Sequence, residues 1–124
     1  MLLSVKKIAS WQLPTLRDPN DKIRAELPAL QRGAVWRAHQ VEALWDSVLR
    51  GFPIGAFLLA PFDAARGSKR SAYAMGEENA DPTHHLLDGQ QRSNALALGF
   101  LDPWAWWDSS TPIPAALWLD LRAP

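Results

Sequence analysis

The chain has 124 residues, 48% of them hydrophobic, with 13 basic and 13 acidic side chains and no cysteine. This length fits one small domain, and zero net charge provides no global attraction to nucleic acid or an anionic membrane, so a polyanion would need a local patch. The lack of cysteine excludes disulfides, thiolate zinc sites and cysteine nucleophiles. No signal peptide is visible and no window reaches the roughly 18 apolar residues of a membrane helix, which is typical of a cytoplasmic protein.

The first third of the chain predicts two short elements. Residues 5–11 fit either a short strand or a short helix, closed by Pro14. Apolar residues then alternate with other positions from Ile23 to Ala29, which indicates a half-exposed strand. Because Pro28 cannot donate a ladder hydrogen bond, this strand belongs at a sheet edge.

The middle of the chain predicts a helix, a strand and a hairpin. The helix runs over residues 38–50, where the apolar stripe Val41, Leu44, Trp45, Val48 and Leu49 recurs at helical spacing. Gly51 follows as a left-handed cap. Residues 56–60 have the length and composition of a strand. The polar segment 61–83 then fits a hairpin around Gly67.

The last third combines strands with a helix. A strand closes at Leu87, a helix of about three turns begins near Gln90, and a loop with three prolines leads to a final strand over 116–121. Interleaved strands and helices favour an α+β fold with a mixed sheet and packed helices. Because the chain ends just after that strand, we expect it to be the front part of a longer protein.

The stretch HHLLDGQQRSNAL, residues 84–96, admits two interpretations. In the structural one, Asp88 is a helix N-cap and Gln91 completes a capping box, which stabilises the helix by about 1 kcal/mol. Yet Arg92 lies in the first turn, where the helix dipole disfavours a cation. In the functional one, helix amides and the Arg92 guanidinium hold an oxyanion such as phosphate, while Asp88 binds a divalent metal or orients a water. The two roles are compatible.

The segment LLDGQQRSNAL resembles the D-G-Q-Q-R signature of the GmrSD restriction endonuclease N-terminal domain family. Three further segments resemble the family in the same order: LQRGAVW (30–36), QVEALWDSVLRGFPIGAFLL (40–59) and LWLDL (117–121). Together they span most of residues 27–121. The chain departs from the family at Gly33, where proline is common, and at 93–96, where Leu-Thr-Thr-Leu is frequent.

The resemblance implies a small fold related to ParB and sulfiredoxin, with residues 1–124 as a single ParB-like N-terminal domain that lacks the C-terminal nuclease domain. Family members are bacterial phage-defence proteins that restrict modified foreign DNA. This domain would be the nucleotide-sensing module, binding and hydrolysing a nucleoside triphosphate with Mg²⁺, while the nuclease domain would cut DNA. A non-catalytic ParB-like DNA-binding module, or an inactive fragment, is the alternative. Whether the chain alone is an active enzyme stays open.

The resemblance also assigns roles by position. The residues implied in catalysis are Asp88, Gln91 and Arg92, and Asp88 is also implied as a ligand of Mg²⁺. The residues implied in nucleotide binding are Gln31, Arg32, Gly89 and Gln90.

Other polar and aromatic residues carry weaker hypotheses. Arg66, Lys69 and Arg70 form a basic cluster that fits either a solvated loop or contact with a DNA backbone. Trp36 could stack on a base or pack at the start of the helix near Ala38.

Histidines and further tryptophans are more typical of structural positions. No second set of metal ligands lies at a usable spacing from His84 and His85, which argues against a metal site. The two residues fit a strand with one face exposed. Trp104, Trp106 and Trp107 fit a cover over the core or an interface with another domain.

Overall fold

The computed structural model describes residues 3–28, 36–67, 82–101, 117–119 and 122. The helices and strands of this part, in chain order, are α1 (Val5–Ser10), β1 (Ala25–Glu26), α2 (Ala38–Leu49), β2 (Leu58–Pro61), β3 (His84–Asp88) and α3 (Gln90–Gly99). Two 3₁₀ turns, Pro14–Leu16 and Ala64–Arg66, lie between them. The predicted α+β class is confirmed. No helix in the described part is long and apolar enough to cross a membrane.

The structure resolves the ambiguous N-terminal element as a helix. Ser4 is the N-cap of α1, and its hydroxyl accepts a hydrogen bond from the Lys7 amide at 3.2 Å. This cap satisfies one of the amides that a helix start leaves without an intrahelical partner. Helix α1 then buries Ile8 and Ala9.

Helix α2 confirms the predicted helix over residues 38–50. The Gln40 side chain accepts a hydrogen bond from the Arg37 amide at the helix start. Gly51 follows the helix with φ of +75°, as predicted. The apolar stripe is only partly correct, because Val41 and Leu44 are buried whereas Leu49 is 62% exposed. Leu49 at the end of α2 therefore lies outside the core, whereas Val48 still packs against it.

The three described strands form one mixed sheet in the order β1-β3-β2. Strand β1 pairs parallel with β3 and lies at an edge, which confirms the prediction for the segment containing Pro28. Strand β2 pairs antiparallel with β3. The register shifts between Leu58 and Leu59, so β3 has one extra residue, Leu87, just before it ends. Such irregularities redirect the side chains that follow.

One strand prediction needs correction. Residues 117–119 are not in a strand, and the side chains of Trp118 and Leu119 are 72% and 65% exposed. The apolar run at that place lies on the surface, so its composition was a poor guide to pairing. The predicted hairpin around Gly67 lies for the most part outside the described residues, which place Gly67 directly after the 3₁₀ turn Ala64–Arg66.

Helix α3 is the centre of the described core. It packs against both α1 and α2, and it buries the small and apolar residues Ala95, Leu96 and Ala97. The Trp45 indole of α2 donates a hydrogen bond to the Ala95 carbonyl at 2.8 Å. The Ser93 hydroxyl donates to the Ile8 carbonyl of α1 at 3.2 Å. These contacts fix α3 relative to α1 and α2.

Candidate functional site

The turn between β3 and α3 contains the signature residues. Asp88 ends β3 and is exposed, Gly89 is the N-cap with φ of +96°, and Gln90 begins α3. The predicted capping box is therefore wrong. With Gly89 as the cap, Arg92 and not Gln91 occupies the third helical position. The Asp88 carboxylate instead accepts a hydrogen bond from the adjacent Gly89 amide at 2.9 Å.

A cleft of about 280 Å³ opens beside this turn. Its walls are Trp36, Leu87 and residues 88–92. The Ser93 amide donates a hydrogen bond to the Gly89 carbonyl at 2.9 Å, which closes the first turn of α3. Glycine at the cap offers no side-chain acceptor to the first amides of the helix. The cleft is thus bordered by the partially positive end of a helix.

Arg92 turns from the helix toward the loop that precedes β2. Its guanidinium donates to the Ile54 carbonyl at 2.9 Å and to the Ala56 carbonyl at 2.7 Å. The guanidinium carbon also lies 4.7 Å from the centre of the Phe57 ring, a cation–π distance. Arg92 therefore joins the signature helix to the loop 54–57 and does not extend into open solvent.

Two glycines make this close contact possible. A side chain at Gly55, which has φ of +96°, would collide with the Arg92 guanidinium. A side chain at Gly89 would collide with the Phe57 ring. Phe57 also packs edge-on against Trp11 of the core, with ring centres 6.1 Å apart. We call the mutual packing of loop 54–57 and turn 88–92 the interlock.

Gln12 is a polar residue of this region that the sequence did not reveal. It is 2% exposed, and its side-chain amide donates to the Gln90 carbonyl at 3.1 Å. Gln90 is itself buried, at 8% exposure, whereas Gln91 and Arg92 are half-buried on the cleft wall. Gln12 lies 78 positions from its partner, so no local pattern indicated the contact.

Most of the remaining predicted binding residues cannot be placed relative to the cleft, because they are not among the described residues. Gln31, Arg32, Lys69 and Arg70 lie outside the described residues, as do Trp104, Trp106 and Trp107. Arg66 lies at the opposite end of β3 from Asp88, where its guanidinium donates to the Pro61 carbonyl at 3.0 Å. The four residue steps along β3 from His84, which pairs with Pro61, to Asp88 span roughly 13 Å.

The two histidines are strand residues, as predicted. His84 is half-buried and its Nδ1 lies 2.7 Å from the Thr83 hydroxyl. His85 is completely buried, so the two neighbouring histidines lie on the more and the less accessible face of β3, as expected for a strand with one face exposed. Its ring packs 4.9 Å from that of Phe62. Among the described residues no group of three or more potential ligands could hold a metal ion.

Comparison with known proteins identifies one family. The model of the GmrSD restriction endonuclease N-terminal domain matches residues 15–114. This range contains the described cleft and confirms the resemblance found in the sequence. No curated protein and no solved structure matches the chain.

Proposed function

The chain belongs to the N-terminal domain family of the GmrSD restriction endonuclease, so it is part of a DNA restriction system, and on that premise we propose that it binds and hydrolyses a nucleoside triphosphate. In the complete protein this reaction would sense and control restriction of modified foreign DNA by a separate nuclease domain. The observation that carries the proposal is the cleft in which an exposed carboxylate, Asp88, adjoins the amides that begin α3.

The phosphate chain is proposed to lie against the start of α3. Amides at a helix N-terminus and the positive end of the helix dipole favour a bound anion. Glycine at the cap lets the backbone approach a ligand closely. The polar part of the cleft therefore has the chemistry that a phosphate group requires.

Asp88 is the residue that would hold Mg²⁺. Its carboxylate alone next to a phosphate would be repulsive, whereas a divalent cation between them reverses the sign of the interaction. Magnesium sites often use one or two carboxylates, with phosphate oxygens and water as the other ligands, so a lone exposed carboxylate fits the group. When bound, the ion would neutralise charge that develops on the phosphate oxygens.

The side chains on the cleft wall have distinct proposed tasks. Gln91 is half-buried there, and it is better placed than the buried Gln90 to orient the water that attacks the terminal phosphorus. The structure uses two of the five guanidinium N–H groups of Arg92 on backbone carbonyls. Arg92 is thus proposed to position the site and to contribute positive charge to it. Arg32 is proposed as a second cation.

The test is Asp88→Asn in the complete protein, with hydrolysis measured as phosphate release from each of the four ribonucleoside triphosphates. Loss of a group that positions metal or water lowers the rate by roughly 10²-fold or more. Because Asp88 is exposed and makes one backbone hydrogen bond, the melting temperature should barely change. Asp46→Asn, at an exposed carboxylate on α2, is the matched control. Unchanged turnover in Asp88→Asn would refute the proposed role of Asp88 in hydrolysis.

The non-catalytic alternative gives a different result in two binding measurements. A thermal melt of the domain with magnesium and triphosphate should show stabilisation of about 2.7 kcal/mol when the ligand is at 100 times its dissociation constant. A DNA-binding module would instead show no stabilisation by nucleotide, and its affinity for DNA would fall steeply with salt.

A further inference from the structure

Trp36 shares the cleft with the signature turn. It precedes Arg37, the N-cap of α2, and it is half-buried against the core. The same side chain lines the cleft together with Leu87 and residues 88–92. One concavity therefore combines an aromatic ring with an exposed carboxylate and a helix N-terminus.

The Trp36 side chain is partly buried against the core in the absence of a ligand. A hydrophobic residue just before the N-cap commonly packs on the fourth helical residue, here Val41, which is buried. A ring already fixed loses little conformational freedom when a ligand binds. Packing at the helix start and contact with a ligand are therefore compatible tasks for this side chain.

We propose that Trp36 stacks on the base of the nucleotide whose phosphates lie at the start of α3. This inference rests on the proposed function, and it adds the residue that contacts the base, a contact that a bare polyphosphate cannot make. The cleft volume of about 280 Å³ lies near the lower end of small-molecule sites, which begin at about 300 Å³. Since every base has a π-face, stacking on Trp36 discriminates little among the four bases.

The experiment is calorimetric titration of the full chain with inorganic tripolyphosphate and with ATP, GTP, CTP and UTP, all with magnesium chloride. The unmodified chain should bind each nucleotide roughly 5- to 150-fold more tightly than tripolyphosphate, the range expected for one stacked base. Trp36→Leu, which keeps an apolar side chain at the helix start, should lose that difference without changing the tripolyphosphate affinity. Trp36→Phe, which keeps a π-face, should retain most of it.

The outcomes separate this inference from the proposed function. Equal affinities of the unmodified chain for nucleotide and tripolyphosphate would overturn the stacking role alone, and that comparison requires no variant to fold. Unchanged nucleotide affinity in Trp36→Leu would also overturn it. So would a Trp36→Leu chain that loses affinity for a single-stranded oligonucleotide, titrated in parallel, while it keeps its affinity for the nucleotides. Absence of binding to every phosphate compound would instead refute the site itself.

Discussion

Replacement of Arg92 by alanine should destabilise the fold, not only the site. The change removes two charge-assisted hydrogen bonds, to the Ile54 carbonyl at 2.9 Å and the Ala56 carbonyl at 2.7 Å, and a cation–π contact with Phe57 at 4.7 Å. Hydrogen bonds to charged groups contribute about 1.5–3 kcal/mol each. Because the contact with the Ala56 carbonyl is exposed to solvent and such contributions are not additive, we expect a total loss of about 2–3 kcal/mol.

Urea denaturation followed by circular dichroism measures this loss directly, from the shift of the midpoint at constant slope. Arg50→Ala is the matched control, because Arg50 makes an exposed pair with Asp46 one helical turn away. Such pairs contribute about 0.3–0.5 kcal/mol. If Arg92→Ala costs no more than the control, Arg92 does not hold loop 54–57, and the interpretation of the interlock is wrong.

Two other positions test the packing around the turn. Gly89→Ala should cost about 2–3 kcal/mol in urea denaturation, because left-handed backbone disfavours alanine and its methyl group meets the Phe57 ring. Gly51→Ala, also at positive φ but in open space, should cost only about 1–2 kcal/mol, and equal losses would contradict the role of the ring. Gln12→Leu should cost about 1–3 kcal/mol, since it leaves the Gln90 carbonyl buried without this donor; a thermal melt unchanged by the substitution would show that water replaces the donor.

The sequence predicted the fold where a local pattern determines it. Helix α2 has a regular apolar stripe and a glycine just after it, so both its type and its bounds were correct. The edge position of β1 was predicted because the same segment contains Pro28, which has no backbone N–H to donate to a neighbouring strand. The run at 117–119 misled because apolar composition does not distinguish a paired strand from an exposed segment.

The sequence drew attention to the turn 88–92 but did not reveal the contacts within it. A cleft does lie at this turn, where the sequence groups a carboxylate, amides and a guanidinium. The roles within it depend on partners far along the chain. Gln12 and the carbonyls that Arg92 binds lie 78 and up to 38 positions away, and no local pattern encodes such pairs. The αL conformation of Gly89 moved the cap by one residue and removed the predicted capping box.

The interlock separates two kinds of signature residue. Loop 54–57 supplies the ring that covers Gly89, and turn 88–92 supplies the guanidinium that covers Gly55, so each segment fills the space that the other's glycine leaves. Loss of activity on changing Gly89 or Arg92 would therefore follow from misplacement of the turn whether or not these residues contact a ligand. Asp88 borders the cleft with an exposed carboxylate that accepts a hydrogen bond from the neighbouring Gly89 amide. It is the position at which chemistry can best be separated from folding.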